Sequence, residues 1–362
     1  MSSRSTDIVF LLGAGASVEA GIPMSATMID NIESLLKEHR DWKPYYDLYN
    51  HVKSAIHYSA GLKGRFNDEV PFNIETVVNA LYELERNEEH PLYPFIASWN
   101  SRFVALADKD FANVRAFRRL ILKELKRWMC PVDTSKASYY EGFASIQREL
   151  NYPLHTFSLN YDLCMERLSS LQFRVETGFA GFGPSHLWEW ERFEQTDASP
   201  DTLPQVFLYK LHGSINWKRD EGKNLFSVEQ IEVVDSDAMD VIFGRDFKLE
   251  AADPYLFYAY QFRRATLQSR LIVVIGYGFA DSHINKMLTQ ALRTDEVRRV
   301  LIVSKCADDG EADTRKAEIA EVLEVASDKL IVEKGTASSF LRQDGLGRKL
   351  VELIPQPKDS PF

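Results

Sequence analysis

Two runs of consecutive apolar residues, each followed directly by a glycine turn, place the strongest constraint on the fold of this chain. Ile8–Leu12 precedes Gly13-Ala14-Gly15-Ala16-Ser17, and Leu271–Ile275 precedes Gly276-Tyr277-Gly278. Five apolar residues without polar alternation are typical of a strand that helices cover on both faces of a parallel sheet. We therefore predict an α/β fold, a Rossmann-like parallel sheet flanked by helices.

Shorter patterns predict the remaining elements of the sheet and its helices. Leu154–Ser158 is a third buried strand, and further strands are expected at residues 173–176, 206–211, 300–303 and 330–332. Helices are expected from about residue 25, at 162–171, at 254–269, from 281 and at 311–325. A polar hairpin region is expected at 217–250.

Residues 40–150 differ from the rest because helical spacing replaces the strand pattern, as at Ile74, Val77, Val78 and Leu81. We predict a helical insertion that covers the ligand site. The expected organisation is a first strand-loop-helix unit at 1–39, the insertion at 40–150, the rest of the core at 151–335 and a C-terminal extension at 336–362. Within the core, the glycine-rich segment 178–204 is long enough to be a functional lid.

Charge and cysteine content limit the partners of the chain. The net charge of -10 and the pI near 5.4 argue against direct nucleic-acid binding. The three cysteines form no CxxC pair, which excludes a four-cysteine zinc site. The sequence has no signal-like or membrane-spanning run, so we expect a cytoplasmic protein. Two charged clusters are interpreted as solvated: Arg115, Arg118, Arg119, Lys123, Lys126 and Arg127 on one helix, and Asp235, Asp237 and Asp240 in one loop.

The first glycine loop matches only part of a dinucleotide-binding fingerprint. Gly13 and Gly15 are present, but Val18 stands where the third glycine of GxGxxG belongs. Small residues still allow backbone N–H groups to approach a phosphate at a helix N-terminus, and Ser17 adds a hydroxyl. The alternative is a tight strand-to-helix turn without a ligand.

Two polar clusters follow the strands at 154–158 and 206–211. Asn160 and Asp162 follow the first strand, in a position to hold ribose hydroxyls or a water, although Asp162 is equally suited to cap the next helix. His212 follows the second strand, with Gly213 behind it to allow close approach. A histidine at a strand end is a candidate general base near neutral pH, although a lone histidine is more often structural.

The second glycine turn offers similar chemistry. The backbone at Gly276 and Gly278 is suited to contact the adenosine half of a dinucleotide, and Tyr277 or Phe279 to pack on a ring. Asp281 is interpreted first as the N-cap of the following helix.

Taken in chain order, these motifs resemble the sirtuin superfamily of NAD-consuming enzymes, and most of all the sirtuin-like effector branch of bacterial antiphage defence. The resemblance rests on the following segments: the first glycine loop with Gly21-Ile22-Pro23, Asn160-Tyr161-Asp162, Leu211-His212-Gly213, Gly276-Tyr277-Gly278-Phe279 with Asp281 and Ile284-Asn285, and Phe72-Asn73-Ile74-Glu75.

The resemblance implies a role for each motif, with NAD+ as the substrate. Asn160 corresponds to the asparagine that positions the nicotinamide ribose and the attacking water, and Asp162 to the acidic residue beside that ribose. His212 corresponds to the base. The cofactor-contacting residues are then expected to be Gly13, Ala14, Gly15, Ala16, Ser17, Ile22, Pro23, Asp162, Gly276, Tyr277, Gly278 and Asp281.

One departure from the family pattern decides the expected reaction. Protein deacylases of the superfamily generally carry a zinc ribbon with paired CxxC motifs after the histidine-glycine, whereas residues 217–250 contain no cysteine. We therefore expect no zinc ribbon and no metal. Water then becomes the acceptor, and the expected reaction is hydrolysis of NAD+ to nicotinamide and ADP-ribose.

The same resemblance implies control of a toxic activity. The chain leaves little room for a large sensor, so we expect a homo-oligomer and a separate activating protein, a HerA-like ATPase rather than a short Argonaute. Two other functions stay open: a non-catalytic sensor of NAD or ADP-ribose, and a nuclease subunit of a DNA-processing complex.

Overall fold

The computed structural model describes residues 7–66, 70, 72–85, 101–131, 133–170, 173–181, 183–194, 205–242 and 253–355. Parts of the predicted segments lie outside these residues, among them 1–6, 86–100, 195–204 of the lid, 243–250 of the hairpin region and 356–362. No helix in the described part is long and apolar enough to cross a membrane.

A seven-stranded parallel sheet forms the centre of the molecule. Its strands are β1 (Ile8–Leu12), β2 (Leu154–Ser158), β3 (Val175–Glu176), β6 (Val206–Lys210), β10 (Leu271–Ile275), β11 (Arg299–Ser304) and β12 (Leu330–Lys334). They lie in the order β12-β11-β10-β1-β2-β6-β3, and every pair is parallel. The predicted Rossmann-like parallel sheet is therefore confirmed.

A second sheet of five antiparallel strands adjoins the first. It contains β4 (Phe179–Ala180), β5 (Ser185–Trp188), β7 (Gly213–Arg219), β8 (Leu225–Val228) and β9 (Met239–Val241), in the order β4-β5-β8-β7-β9. The sequence predicted a hairpin region here, but it wrongly treated the start of the 178–204 segment as irregular. The reason is that β5 pairs not only with the nearby β4 but also with the distant β8, where Ser185 is in register with Val228.

Eleven α-helices are described, and they surround the central sheet. They are α1 (Ser25–Glu38), α2 (Tyr46–Gly61), α3 (Ile74–Glu85), α4 (Ser101–Ala107), α5 (Ala112–Met129), α6 (Gly142–Leu150), α7 (Tyr255–Gln268), α8 (Ser282–Thr294), α9 (Asp309–Val322), α10 (Ala337–Leu341) and α11 (Leu346–Glu352). The predicted helix at 162–171 is wrong, since only a short 3-10 helix, Glu166–Leu168, forms there.

Alternate residues of each strand face two separate apolar cores, which explains the unbroken apolar runs. Phe10 points into the core built from the helices of the 40–150 region and the C-terminal helices, and it contacts Phe143 edge to face at 5.1 Å. Leu11 points into the opposite core, with Phe262 of α7 and Leu288 of α8. Because both faces are covered, neither face of β1 tolerates polar residues.

Candidate functional site

The carboxyl ends of four strands meet at one edge of the central sheet. Leu12 is in register with both Ser158 and Ile275, and Ser158 is in register with Lys210. The residues that follow these strand ends therefore lie side by side. The strand order also reverses beside β1, because the chain adds β2 on one side and β10 on the other. Open α/β sheets bind their ligands at such a switch point, outside the carboxyl ends.

The two glycine loops pack directly on each other at this switch point. The Gly13 N–H donates to the Ile275 carbonyl at 2.9 Å, and the Gly15 N–H donates to the Gly276 carbonyl at 2.8 Å. A Cβ atom at Gly13 would lie 2.5 Å from the Cα of Tyr277, and one at Gly15 would lie 2.9 Å from the Cα of Gly276. These glycines are needed for backbone contact between the loops, whatever else the loops bind.

The chain after Gly13 forms a 3-10 helix, Ala14–Ala20, rather than an open loop. Gly21 ends this helix in the left-handed region with φ +89°, after which buried Ile22 and half-buried Pro23 lead into α1. In the second loop, Gly278 differs from its neighbours, since no atom lies within 4 Å of the Cβ position. The side of the Gly278 backbone on which a side chain would stand is thus open.

Ser17, Asn160 and Asp162 form one buried hydrogen-bond network. The Ser17 hydroxyl donates to Asp162 Oδ2 at 2.7 Å and accepts from Asn160 Nδ2 at 3.1 Å. Asn160 Nδ2 also donates to the Gly13 carbonyl at 3.0 Å. The structure therefore brings the predicted first loop and the predicted Asn160-Asp162 pair into direct contact, and the Ser17 hydroxyl is engaged by protein groups.

The 40–150 region contributes two tyrosines to this network. Tyr139 donates to the Ala16 carbonyl at 2.5 Å, and Tyr140 Oη lies 3.0 Å from Ser17 Oγ. Because the Ser17 proton is directed to Asp162, Tyr140 is the donor in its own bond. Burial raises the pKa of Tyr140 well above its ordinary value, which keeps the phenol in this donor form.

Asp162 stabilises a turn and not a helix. Its Oδ1 accepts the Cys164 backbone N–H at 3.0 Å, while Oδ2 accepts from Ser17. Oδ1 thus stabilises the loop after β2, and Oδ2 joins this loop to the first glycine loop. The helix-capping interpretation of Asp162 is wrong, because no helix follows directly.

His212 pairs with Asp281 across two loops that are 69 residues apart. His212 Nε2 lies 3.1 Å from Asp281 Oδ2, and the side chains are only 6% and 9% exposed. Asp281 Oδ1 accepts the backbone N–H groups of His283 and Ile284 at 2.9 and 3.4 Å, so the predicted N-cap of α8 is confirmed. One carboxylate therefore caps a helix and contacts the candidate base.

Gly213 allows close approach behind His212, as the sequence predicted. It has φ +82°, and a Cβ there would lie 2.1 Å from the Asp240 carbonyl. The neighbouring β9 chain therefore occupies the space that a side chain would need. The carbonyl of His212 itself accepts the Ile242 N–H at 2.9 Å, which ties the same segment to the second sheet.

Tyr161 connects the candidate site to the N-terminus of α3. Its hydroxyl lies 2.8 Å from Glu75 Oε1 and 2.8 Å from the Ile242 carbonyl. Burial and the Glu75 carboxylate raise the pKa of Tyr161 well above its ordinary value. Asn73 begins the same helix by accepting the Thr76 N–H at 2.8 Å. The Phe72-Asn73-Ile74-Glu75 motif thus contacts the segment between Asn160 and Asp162.

Tyr277 and Phe279 pack within the protein. Their rings lie 4.8 Å apart, and Tyr277 is 9% exposed. The Tyr277 hydroxyl accepts the Asp281 N–H at 3.1 Å and lies 2.9 Å from Asn285 Oδ1. These contacts stiffen the second glycine loop and hold Asp281 in place.

Lys210 is a site residue that sequence reasoning missed. It is 2% exposed, and its Nζ donates to Glu166 Oε1 at 2.7 Å, to Ser214 Oγ at 2.9 Å and to the backbone carbonyl of Asp162. It therefore ties the loop after β2 to the strand that leads to His212. A lysine inside an otherwise apolar strand was the available signal, since a buried lysine needs a partner.

We expect Lys210→Met to lower the free energy of unfolding by about 3 kcal/mol, because it leaves the Glu166 carboxylate without its cation. Burial raises the pKa of Glu166, and Lys210 opposes that rise. Chemical denaturation at neutral pH measures the loss. Lys218→Met, on the next strand along the chain, β7, is the matched control and should change stability by less than about 0.5 kcal/mol. Equal stability of the two variants would contradict the assigned role.

The interpretation of the two charged clusters as solvated is wrong for part of their members, whereas Lys123 and Arg127 are exposed as predicted. Arg118 and Arg119 of α5 both pair with Asp237, and Arg118 also pairs with Glu85 at 2.9 Å. Asp240 pairs with Arg219 at 2.5 Å. The predicted basic and acidic faces thus neutralise each other in part, because the fold packs α5 against residues 236–238. Within the described ranges, no group of three His, Cys, Asp or Glu residues is placed to hold a metal ion.

Comparison with known proteins adds a family match and several distant structural likenesses. A Sir2 homologue in complex with NAD shares 14% identity, with 96% of this chain and 90% of that chain covered and a TM-score of 0.39. A mutant Sir2 homologue in complex with ADP-ribose shares 14% identity, with 95% and 92% covered and a TM-score of 0.40. These superpositions are loose, so the fold assignment rests on the sheet itself. The curated proteins contain no significant match.

The family match covers the part of the chain that carries Asn160, His212 and the second glycine loop. Residues 155–325 match the profile of the SIR2-like domain. The first glycine loop and the helices of the 40–150 region lie outside the matched range. This chain thus carries a segment similar to the SIR2-like domain, in agreement with the sirtuin-like resemblance of its motifs.

Proposed function

We propose that this protein is an NAD+ glycohydrolase that cleaves the bond between nicotinamide and ribose. The observation that carries the proposal is the register of β2 and β6. Ser158 pairs with Lys210, so Asn160 and His212 stand at equivalent positions, two residues beyond neighbouring strand ends. Both are buried beside the glycine loops at the switch point of the sheet. The SIR2-like match over the same residues supports NAD+ as the ligand.

The proposed chemistry uses the two side chains in different ways. As nicotinamide leaves, positive charge develops on the ribose carbon, and a water adds its oxygen to that carbon. Asn160 orients the water with its carboxamide oxygen, since its Nδ2 is already held by Gly13 and Ser17. His212 accepts the proton that the water loses. The products are nicotinamide, ADP-ribose and one proton.

We assign the substrate contacts according to the loops around this centre. Asp162 accepts a hydrogen bond from a hydroxyl of the nicotinamide ribose. The backbone of the first glycine loop, together with Ile22 and Pro23, lies along the pyrophosphate. The second loop contacts the adenosine half through Gly276, Tyr277 and Gly278. The space above Gly278 supports this assignment, since a ligand there would meet backbone and no side chain.

Water is the proposed acceptor because the chain lacks the usual acyl-lysine scaffold. Residues 217–250 contain no cysteine, so the paired CxxC motifs of a zinc ribbon are missing from the sequence there. The described part of this segment forms β7, β8 and β9 of the second sheet instead. These strands occupy the position after the histidine-glycine where deacylases carry their zinc module.

We further propose that the activity depletes cytoplasmic NAD+ in antiphage defence and is held inactive until a partner or oligomerisation triggers it. A HerA-like ATPase is the proposed partner. The resemblance to the sirtuin-like effector branch supports this role. The contacts of Tyr139, Tyr140 and Glu75 with the site also support control from outside, because they join the helices of the 40–150 region to the active-site loops.

The deciding experiment follows NAD+ and its products by chromatography, with the purified protein alone and with the product of the neighbouring gene. We expect nicotinamide and ADP-ribose to appear in equal amounts, and Asn160→Ala to abolish the reaction without loss of folding. NAD+ that binds but stays intact under every activating condition would favour a sensor. Metal-dependent DNA cleavage that persists in Asn160→Ala would favour a nuclease subunit.

A further inference from the structure

The contact between His212 and Asp281 fixes which imidazole nitrogen carries the proton. Asp281 Oδ2 is a carboxylate oxygen that only accepts hydrogen bonds, and it lies 3.1 Å from His212 Nε2. A neutral imidazole donates from one nitrogen and accepts at the other. The nitrogen that faces a carboxylate is therefore the one with the proton, and the lone pair lies on the other nitrogen.

The Asp281 carboxylate cannot rotate away from His212 without losing its hydrogen bonds to the N-terminus of α8. Asp281 Oδ1 accepts the N–H groups of His283 and Ile284 at the start of α8. The Asp281 N–H donates to the Tyr277 hydroxyl at 3.1 Å, which fixes the backbone as well. With one oxygen and the backbone held, the second oxygen keeps its direction toward His212. Both side chains are less than one-tenth exposed, so water competes little for the contact.

We propose that Asp281 is the positioning residue of His212: it holds the imidazole in the tautomer protonated at Nε2, so that Nδ1 is the basic nitrogen of the site. This role differs from the NAD+ contact that the resemblance implied for Asp281. The tautomer assignment rests on geometry alone, while its consequence for catalysis rests on the proposed NAD+ hydrolysis.

Asp281→Asn tests the proposal because it separates the two tasks of the carboxylate. The asparagine oxygen still caps α8, since asparagine is as good an N-cap as aspartate. Its NH2 group replaces the oxygen that faces His212 and donates to Nε2, which moves the imidazole proton to Nδ1. Nitrogen-15 NMR of histidine-labelled protein distinguishes the two tautomers, and the spectrum of His212→Gln identifies the His212 signals.

We expect the Nε2–H tautomer in the parent protein at mildly alkaline pH and the Nδ1–H tautomer in Asp281→Asn. We also expect Asp281→Asn to hydrolyse NAD+ about 100-fold more slowly than the parent protein. Asp308→Asn makes the same change at the N-cap of α9, where Asp308 Oδ1 accepts the Glu311 N–H at 2.9 Å, and should change neither readout. If Asp281→Asn does not fold, Asp281→Ser retains a capping oxygen and should give a mixture of tautomers.

An Nδ1–H tautomer or a doubly protonated ring in the parent protein would overturn the proposal, as would a tautomer that is the same in the parent and in Asp281→Asn. The NMR readout does not depend on activity. Tautomers that change as expected in a protein that never hydrolyses NAD+ would therefore uphold the positioning role of Asp281 and refute the proposed function.

Discussion

Replacing His212 by alanine should lower the rate of NAD+ hydrolysis by about 10²- to 10⁴-fold, the contribution that a positioned general base typically makes. The imidazole is buried beyond the carboxyl end of β6 and is held by Asp281, so the substitution removes the proposed acceptor of the water proton. The measurement is the initial rate of nicotinamide release at saturating NAD+, under the conditions that activate the parent protein.

His155 provides the matched control for this variant. It is the second residue of β2, away from the carboxyl edge, and its Nδ1 is 3.0 Å from the Tyr209 hydroxyl. Burial lowers its pKa to about 4, so it is neutral during the assay. His155→Asn should therefore keep most of the activity. An equal loss in both variants would mean that the loss reflects a damaged sheet, and a fully active His212→Ala would remove His212 from the mechanism.

The parts of the fold that the sequence predicted well are those determined by local pattern. Ile8–Leu12 and Leu271–Ile275 are observed with the predicted bounds, because a strand covered on both faces is apolar along its whole length. Leu154–Ser158 also has its predicted bounds, although it contains polar residues. The errors occur where a distant partner decides the local structure. Asp162 has the sequence context of a helix cap, but Ser17, 145 residues away, takes one of its oxygens, and a turn forms.

The same reasoning explains how much of the candidate site was predictable. Asn160 and His212 were found because each follows a strand directly, and parallel strands bring their carboxyl ends to one edge. The pairing of His212 with Asp281 and of Lys210 with Glu166 was not predictable, because it depends on the order of strands and on loop conformations. Sequence position is enough to propose the candidate groups, whereas their partners depend on topology.

The largest structural effect is expected at Gly276, where alanine should lower the free energy of unfolding by about 4 kcal/mol and the thermal midpoint by roughly 10 °C. Gly276 has φ +65°, a conformation that disfavours any other residue. Its Cβ would also lie 2.1 Å from the Ala16 nitrogen and 2.4 Å from the Gly15 carbonyl carbon. Both contacts are to backbone, so the two glycine loops must separate to admit one methyl group.

Gly278→Ala, two residues later in the same loop, is the control that isolates this effect. Gly278 has no atom within 4 Å of its Cβ position, so the added methyl group should leave the thermal midpoint nearly unchanged. If the adenosine half of NAD+ lies against the backbone at Gly278, the same variant should weaken NAD+ binding in calorimetry. A stable Gly276→Ala would show that the loops do not depend on their backbone contact. A destabilised Gly278→Ala would show that the space above it is filled by protein, and the adenosine assignment would then fail.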